Sequence, residues 1–152
     1  MPVEIEARLH RLEDLEAIRA LIARYGPLAD AGRSAQVADL WTTDGEYEIA
    51  GFGHAHGRER IAAMIDSPVH RGLMAEGCAH VLSAPAITLA GDRADATNHS
   101  FVLRRDGENW NAWRVSANRW ELVRTAEGWR VARRVNRPLD GNSDALALLA
   151  EA

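Results

Sequence analysis

Four side chains in this sequence have the types needed to move a proton at neutral pH: Tyr25, Asp30, His80 and His99. A histidine takes up and returns a proton near pH 7, and a carboxylate on its second ring nitrogen fixes the tautomer and stabilises the imidazolium. We therefore expect Asp30 to orient His80 as a general base. Tyr25 would donate a hydrogen bond to a developing enolate oxygen, and His99 would protonate a leaving hydroxyl or bind the substrate. These residue types predict proton abstraction from a carbon next to a carbonyl.

Three further residues are candidates for holding the substrate. Tyr47 could supply a second phenol beside Tyr25, and Arg133 could hold a carboxylate or an oxyanion through its fork of donors. Phe101 lies two positions after His99, so both side chains point to the same face of a strand. We expect Phe101 to form part of the apolar wall of the site.

The first stretch of the chain, residues 4–32, must position two of these groups on a helix. Its apolar residues recur at steps of three and four, which predicts one stripe: Leu9, Leu12, Leu15, Ile18, Leu21, Ile22, Tyr25, Leu28 and Ala29. Tyr25 and Asp30 are five positions apart, about 140° around an ideal helix once a full turn is removed. That angle is too wide for one narrow face, so we expect Pro27 to kink or restart the helix there.

The rest of the chain predicts two short helices, one short strand and four long strands. Residues 35–41 form a second helix with Ser34 as its N-cap, and a third begins at Gly57 and ends at Ser67 and Pro68. Residues 44–53 between them predict a turn, a short strand and a turn. From Cys78 the hydrophobic period changes to two, in strands joined by hairpin turns: residues 78–91, 94–105, 110–124 and 128–136.

This order of elements predicts an α+β fold, because helices and strands are segregated along the chain. A sheet of such long strands must curl, and the first helix would cover its concave side and leave a pocket. We expect one domain over residues 1–137, with three N-terminal helices packed on a strongly curved, mainly antiparallel sheet. Residues 138–152 would be a C-terminal tail that forms a terminal helix or stays loose.

Strand parity selects the polar side chains that could share the pocket. On three strands a polar candidate has the same parity as mostly apolar neighbours. His80 alternates in phase with Cys78 and Leu82, and His99 with Thr97, Phe101 and Leu103. Arg133 alternates in phase with Trp129, Val131 and Val135. Because the apolar members suggest buried faces, we expect His80, His99 and Arg133 to point inward. Trp113 and Trp120 have opposite parity, so one should lie in the core and the other on an outer surface of the sheet.

The bulk composition argues against several classes of partner. A net charge of −4 and a pI near 5.8 argue against nucleic acid, which needs a basic face. No run approaches the ~20 apolar residues of a membrane span, and the charged N-terminus lacks the apolar core of a signal peptide. The single Cys78 cannot form an internal disulfide. We therefore expect a cytoplasmic protein that binds neither nucleic acid nor a membrane.

The sequence predicts neither a metal nor an organic cofactor. His54 and His56 have a ligand spacing that, with His70, could suggest a metal. They lie in a glycine-rich stretch with no evident third ligand, so we expect a mobile loop beside the pocket mouth instead. Glycine-rich nucleotide motifs and the motifs of covalent nucleophiles are absent from the sequence.

Several runs of the sequence together resemble one family. They are AIRALIARYGPLADAG, VADLWTTDGEYEI, GRERIAAMI, an isolated histidine before a strand, and the closing run RWELVRTAEGWRVARRV. Over residues 15–137 the chain resembles the SnoaL-like members of the NTF2-like superfamily. The resemblance implies a cone-shaped α+β barrel that assembles as a homodimer or homotrimer through the outer sheet face. Function varies widely on this scaffold, so the fold alone does not select one.

The resemblance also implies a reaction class. Dehydratases of this superfamily that act on scytalone and on bile acids are similar at Tyr25, Asp30 and His80, and they use no cofactor. His99 matches the scytalone type, whereas the bile-acid type carries an acidic residue there. A cofactor-independent lyase or isomerase for a small hydrophobic carbonyl compound, such as a steroid, polyketide or terpenoid, is therefore expected. Two alternatives stay open: a non-catalytic ligand-binding or accessory protein, and an epoxide hydrolase that uses Asp30 and Arg133.

Overall fold

The fold was analysed in a computed structural model that describes residues 2–150. Within them the chain forms five helices: α1 Pro2–Asp30, α2 Ser34–Ala38, α3 Arg58–Ile65, α4 Pro68–Glu76 and α5 Ser143–Ala150. It also forms seven strands: β1 Trp41–Ile49, β2 Gly53–His56, β3 Cys78–Leu82, β4 Ala86–Ala90, β5 Arg93–Asp106, β6 Asn109–Thr125 and β7 Gly128–Pro138. The expected α+β fold is confirmed. None of these helices has the length and apolar character needed to cross a membrane.

All seven strands belong to one curved sheet that does not close. The order is β2-β1-β7-β6-β5-β3, and β4 pairs with β5 beyond the end of β3. Every pairing is antiparallel except that of β1 with β7, which is parallel. The sheet is therefore mainly antiparallel, as the hairpin turns predict.

The second half of α1 covers the concave face of the sheet. Its buried residues include Ile18, Leu21, Ile22, Tyr25 and Ala29. A helix of 29 residues is about 43 Å long, and the apolar residues of its first half are exposed: Val3, Ile5, Leu9 and Leu12. The predicted stripe is therefore buried only from Ile18 onwards.

The expected break at Pro27 does not occur. α1 runs without interruption to Asp30, and the backbone N–H of Ala31 donates to the carbonyl of Pro27 at 3.0 Å. Just before it, Gly26 brings the helix against β3, where an added Cβ would overlap the carbonyl oxygen of His80. This close approach of helix and strand sets the distance between α1 and β3.

A helix that the sequence analysis missed, α4, follows α3 directly. Its N-cap is Ser67, whose Oγ accepts a hydrogen bond from the backbone N–H of His70, and Pro68 occupies the first turn. The Ser67–Pro68 pair thus starts a new helix as well as ending α3. The other helix start also differs from expectation, since α2 is preceded by Arg33 as N-cap and Ser34 is its first residue.

The predicted inward orientation of Arg133 is wrong because β7 contains a β-bulge. Opposite two consecutive residues of β6, the pairing passes from Val131 to Arg133 and skips one residue. A bulge of this kind reverses which side chains point inward. Trp129 and Val131 are buried before it and Arg134 is buried after it, whereas Arg133 is exposed.

The predicted inward orientation of His99 is also wrong, for a different reason. The buried face of β5 carries small and polar residues, namely Ala94, Ala96, Asn98, Ser100 and Val102, and His99 is exposed. These polar groups are satisfied across the sheet: Trp120 donates to Asn98 at 2.9 Å, and Asn118 donates to Ser100 at 2.9 Å. Because the inward residues on either side of His99 are the polar Asn98 and Ser100, the large apolar residues Phe101 and Leu103 do not mark the buried face at this position.

The C-terminal segment contains a packed helix. α5 contacts β5, β6 and β7, and its residue Ala145 is almost completely buried. Residues 1, 151 and 152, which belong to the predicted domain and tail, lie outside the described residues.

Candidate active site

A cavity of about 250 Å³ lies between the helices and the concave face of the sheet. Most of its wall is apolar, with residues from four helices, α1 to α4, and from five strands. Polar and charged side chains also reach it: Tyr25, Tyr47, Ser67, His70, His80, Ser100, Arg114, Arg134 and Asn136. Apolar walls with a few convergent polar groups are typical of small-molecule sites.

Asp30 and His80 form a pair at one side of this cavity. His80 Nδ1 lies 2.7 Å from Asp30 Oδ1, and the backbone N–H of His80 also donates to the carboxylate at 3.0 Å. These contacts hold the last residue of α1 against the third residue of β3. With the proton on Nδ1, the Nε2 atom of His80 keeps a lone pair and has no hydrogen-bond partner among the described residues. His80 lines the cavity, whereas Asp30 lies behind it.

Two phenols lie next to this pair. The hydroxyl oxygens of Tyr25 and Tyr47 are 3.4 Å apart, and both residues are buried. The Tyr25 ring lies 6.3 Å from the His80 ring in an edge-on arrangement. Burial raises the pKa of Tyr47 well above its usual value, so that phenol stays protonated and can donate at neutral pH.

Arg134 takes the place that the sequence analysis gave to Arg133. Its guanidinium carbon lies 4.3 Å from the centre of the Tyr25 ring, 4.7 Å from that of Tyr47 and 4.2 Å from that of Trp120. Its Nε and Nη2 atoms donate to the side-chain oxygen of Asn118 at 3.0 and 2.8 Å. The Nη1 atom is buried without a hydrogen-bond partner within residues 2–150. Arg134 is thus a buried cation held by aromatic rings and one amide.

The sequence analysis missed His70 as a site residue. It lies on α4, and its Nε2–H donates to the carbonyl oxygen of Ala29 at 2.7 Å. The rings of His70 and His80 have centres 5.3 Å apart. Burial lowers the pKa of His70, and a positive His80 nearby lowers it further, which favours the neutral ring. The Ser67–Pro68 start signal was the one sequence feature that could have located this helix.

Arg114 is a second site residue that the sequence analysis missed. It is half-buried, and its Nε and Nη2 atoms donate to the side-chain oxygen of Asn136 at 3.3 and 2.7 Å. Nη2 also donates to the carbonyl oxygen of Ala50 at 3.0 Å. The guanidinium lies over the Phe52 ring at 5.1 Å, and Phe52 contacts Trp113 with ring centres 5.8 Å apart. No local sequence signal separates Arg114 from the other arginines of the sheet.

The remaining candidates divide between the cavity and the outside. Phe101 lines the cavity. Arg133 points away and donates to Glu48 at 3.0 Å, and the exposed His99 uses its backbone N–H to bond Ser83 Oγ at 2.9 Å. Trp120 is buried in the core, as expected for one of the two tryptophans. Trp113 is partly exposed but lines the cavity, so its expected position on the outer surface of the sheet is wrong.

The predicted mobile loop with two histidines is a strand. His54 and His56 lie on β2, which pairs with β1, and both are exposed. His54 Nε2 lies 3.0 Å from a carboxylate oxygen of Glu46, so this histidine is engaged on the surface.

Asp30, Cys78 and His80 are the group of the described residues that could best hold a metal ion. One ligand atom from each lies within 4.8 Å of the others. A metal would require the Cys78 thiolate, but burial and the neighbouring Asp30 raise the pKa of Cys78 to about 11. The carboxylate is already bonded to the ring and backbone N–H of His80. The donor set therefore fits a hydrogen-bonded pair better than a metal centre.

Solved structures with this fold include one of high identity. An NTF2-like protein with a cystatin-like fold from Novosphingobium aromaticivorans is 52% identical, with a TM-score of 0.95 over 97% of this chain and 96% of that one. A protein of Catenulispora acidiphila is 24% identical (TM-score 0.73, 92% and 97% covered), and ActVI-ORFA of Streptomyces coelicolor is 23% identical (TM-score 0.71, 82% and 94% covered). The last two show the fold alone.

The family assignment rests on the sequence as well as on the fold. No curated protein matches the chain significantly. The model of the SnoaL-like domain matches residues 10–135, which run from α1 into β7 and include every residue that lines the cavity except Asn136. The chain accordingly belongs to the SnoaL-like domain family of the NTF2-like superfamily.

Proposed function

We propose that this protein removes a proton from a carbon next to a carbonyl, as a cofactor-independent dehydratase or isomerase. The observation that carries the proposal is the 2.7 Å contact between Asp30 and His80 at an apolar cavity. His80 Nε2 is the general base, and Asp30 fixes the tautomer and stabilises the imidazolium. Tyr25 and Tyr47 donate hydrogen bonds to the carbonyl oxygen as negative charge develops on it.

His80 and the two phenols together account for the proton and the electron pair of this reaction. His80 takes the proton, and the electron pair of the C–H bond moves into the enolate, whose oxygen carries the charge. In a β-hydroxy ketone the pair then returns, the β C–O bond breaks, and the hydroxide leaves as water with the proton from the imidazolium. In an unsaturated ketone that proton is returned to another carbon, which gives an isomer. The buried guanidinium of Arg134 beneath both phenols favours the enolate in either case.

Two alternatives have less support. An epoxide hydrolase with Asp30 and Arg133 lacks its arginine, because Arg133 is bonded to Glu48 on the outside. No second acid lines the cavity within residues 2–150. A purely ligand-binding protein would need neither the ordered carboxylate nor the free Nε2 atom beside two phenols.

The test uses two probes of carbonyl chemistry. In D₂O, the protein should accelerate exchange of the acidic protons of 2-tetralone, followed by ¹H NMR, and it should convert 3-hydroxy-1-tetralone to 1-naphthol, followed by fluorescence. His80→Gln should reduce both rates by roughly 10²–10⁴-fold, since general-base catalysis contributes that much. His99→Gln is the matched control, because His99 is exposed on the outer face, and it should retain both rates. Equal rates in His80→Gln and the unaltered protein would refute the proposal.

A further inference from the structure

The charge of the cavity wall is positive and unbalanced. Arg114 and Arg134 line it, and none of the described lining residues is acidic. Neither guanidinium has a carboxylate within ion-pair distance in the described part of the chain. Most other arginines of the sheet are paired in this way, as Arg133 and Arg137 are with Glu48. Arg93 and Arg105 also have no ion pair within residues 2–150, but both are exposed to solvent, whereas Arg114 and Arg134 are at least partly buried in the cavity wall.

Keeping these two cations out of water is unfavourable unless something compensates. Arg134 is compensated by three aromatic rings and by Asn118. Arg114 has less: burial lowers its pKa, and the positive charge of Arg134 adds to that effect. An anion bound to Arg114 would offset the unfavourable burial of its charge and the repulsion from Arg134, because a charge-assisted hydrogen bond is stronger than a neutral one.

Arg114 also has a donor to offer. Its Nε and Nη2 atoms are used by Asn136 and Ala50, whereas Nη1 has no hydrogen-bond partner within residues 2–150. This atom does not belong to the fully buried unpaired atoms, which include Nη1 of Arg134. Of the two arginines, Arg114 is therefore the one that a ligand can reach.

The register of the sheet fixes the distance between this arginine and the base. His80 pairs with Val102, and Val102 pairs with Arg114, so the three residues form one row across β3, β5 and β6. Neighbouring strands are about 4.8 Å apart, which separates the backbones at His80 and Arg114 by about 10 Å. All three residues line the cavity. A fused two-ring ligand spans such a gap once the side chains are allowed for.

We propose that the ligand of this cavity is an organic acid: an apolar ring system whose carboxylate binds Arg114 while its reacting carbon lies against His80. The position of the reacting carbon against His80 rests on the proposed function, whereas the binding of the carboxylate to Arg114 does not. Phe52 and Trp113, next to Arg114, would contact the ring system near the carboxylate. A neutral steroid or terpenoid would leave Arg114 without a counter-charge and is the less suitable ligand.

Binding of a matched pair of probes tests the charge preference directly. 2-Naphthoate and 2-naphthamide have the same ring system and nearly the same shape, but only the first is an anion at pH 7. Their dissociation constants can be measured by quenching of tryptophan fluorescence in 50 mM and 300 mM salt. The unaltered protein should bind the naphthoate about 10-fold more tightly or better, since one charge-assisted contact is worth that much. Equal affinities would overturn the proposal without any variant.

Variants of single residues identify the side chain that causes the preference for the anion. Arg114→Gln should remove it, and Arg114→Lys should retain part of it, because a cation remains. Arg133→Gln is the matched control, since Arg133 points away from the cavity on the neighbouring strand. A preference that survives in a folded Arg114→Gln protein would assign the anion to another group and refute the role of Arg114. His80→Gln should keep the preference, so loss of catalysis and loss of anion binding are separate results.

Discussion

The two sides of the cavity differ in both chemistry and construction. The acid–base side, made of Asp30, His70 and His80, consists of two imidazoles and a carboxylate and is built where helices meet β3. The cationic side, made of Arg114, Arg134 and Asn136, carries fixed positive charge and is built on neighbouring strands of the sheet. Tyr25 contacts both His80 and Arg134, and Tyr47 contacts Tyr25 and Arg134.

In the proposed reaction, this difference separates two tasks. A group that moves a proton needs a defined tautomer, and the contacts from α1 supply it to His80. A group that stabilises negative charge needs only to be positive and held in place, which the rigid sheet provides. Changes on the acid–base side should therefore affect the rate of the chemical step, whereas changes on the cationic side should affect binding and the strength of the phenol donors.

The largest effect is expected from Asp30→Asn. The variant keeps the shape of the side chain but removes the charge that holds the proton on His80 Nδ1 and stabilises the imidazolium. Exchange of 2-tetralone protons should fall on the order of 10³-fold, while the affinity for 2-naphthoate, measured by fluorescence, should stay unchanged. Asp39→Asn is the control, because its side chain is 70% exposed and remote from the pair. A fall of less than threefold in Asp30→Asn would mean that the acid–base side does not carry the reaction.

The next effect concerns how closely the acid–base side is held together. In Gly26→Ala the new methyl group meets the backbone carbonyl of His80, so α1 must move away from β3. We expect a loss of about 3 kcal/mol in the free energy of unfolding, measured by urea denaturation, together with slower 2-tetralone exchange. Gly72→Ala is the matched control: it lies within α4 with open space around it and should gain about 0.5–1 kcal/mol from helix propensity. A neutral Gly26→Ala would show that this contact does not position the pair.

A third prediction concerns the cationic side and its action on the phenols. Replacement of Arg134 by methionine removes the positive charge that favours the phenolate of Tyr47, so the pKa of Tyr47 should rise further. Absorbance at 295 nm reports this cleanly, because the chain has two tyrosines and both are in the site. Far-UV circular dichroism recorded in parallel identifies the pH range in which the protein is still folded. Arg133→Met should leave the titration unchanged, and an unchanged or lower midpoint in Arg134→Met would contradict the prediction.

The smallest effect is expected in the pH dependence of stability. Burial lowers the pKa of His70 in the folded protein, so between its folded and unfolded pKa the unfolded chain binds more protons. The contribution of His70 to stability is therefore complete above the unfolded pKa of about 6.5 and is lost as the pH falls through the folded pKa. The difference in unfolding free energy between the unaltered protein and His70→Gln should shrink from pH 7.5 to pH 5.5. A difference that stays constant would contradict this linkage.

Much of the fold and one half of the site could be predicted from local sequence patterns. The apolar stripe of α1 and the two-residue period after Cys78 are local properties, and both elements are present. Asp30 and His80 could be proposed as partners because their chemistry is complementary, and the structure brings them to 2.7 Å. The separation of 50 positions between them could not be bridged by spacing alone, so their contact was a hypothesis from residue type.

The other half of the site could not be predicted, because it depends on registers that no local pattern reports. His70 was missed since the residues of α4 are too few for a clear helical period, and Arg114 because many arginines share its local context. Large apolar neighbours usually mark a buried face and predict an inward His99, but the buried residues on either side of it are the polar Asn98 and Ser100.

The sequence by itself determined the α+β class and the long first helix, and it paired Asp30 with His80 by residue type. Only the tertiary structure decided which arginines face the cavity. One skipped residue between Val131 and Arg133 reverses the side-chain alternation of β7, so Arg134 points inward and its neighbour points out. A bulge forms to satisfy the pairing with neighbouring strands, and that pairing joins residues far apart in the chain. For this reason, the alternation of side chains counted along one strand cannot assign the inward face after a bulge.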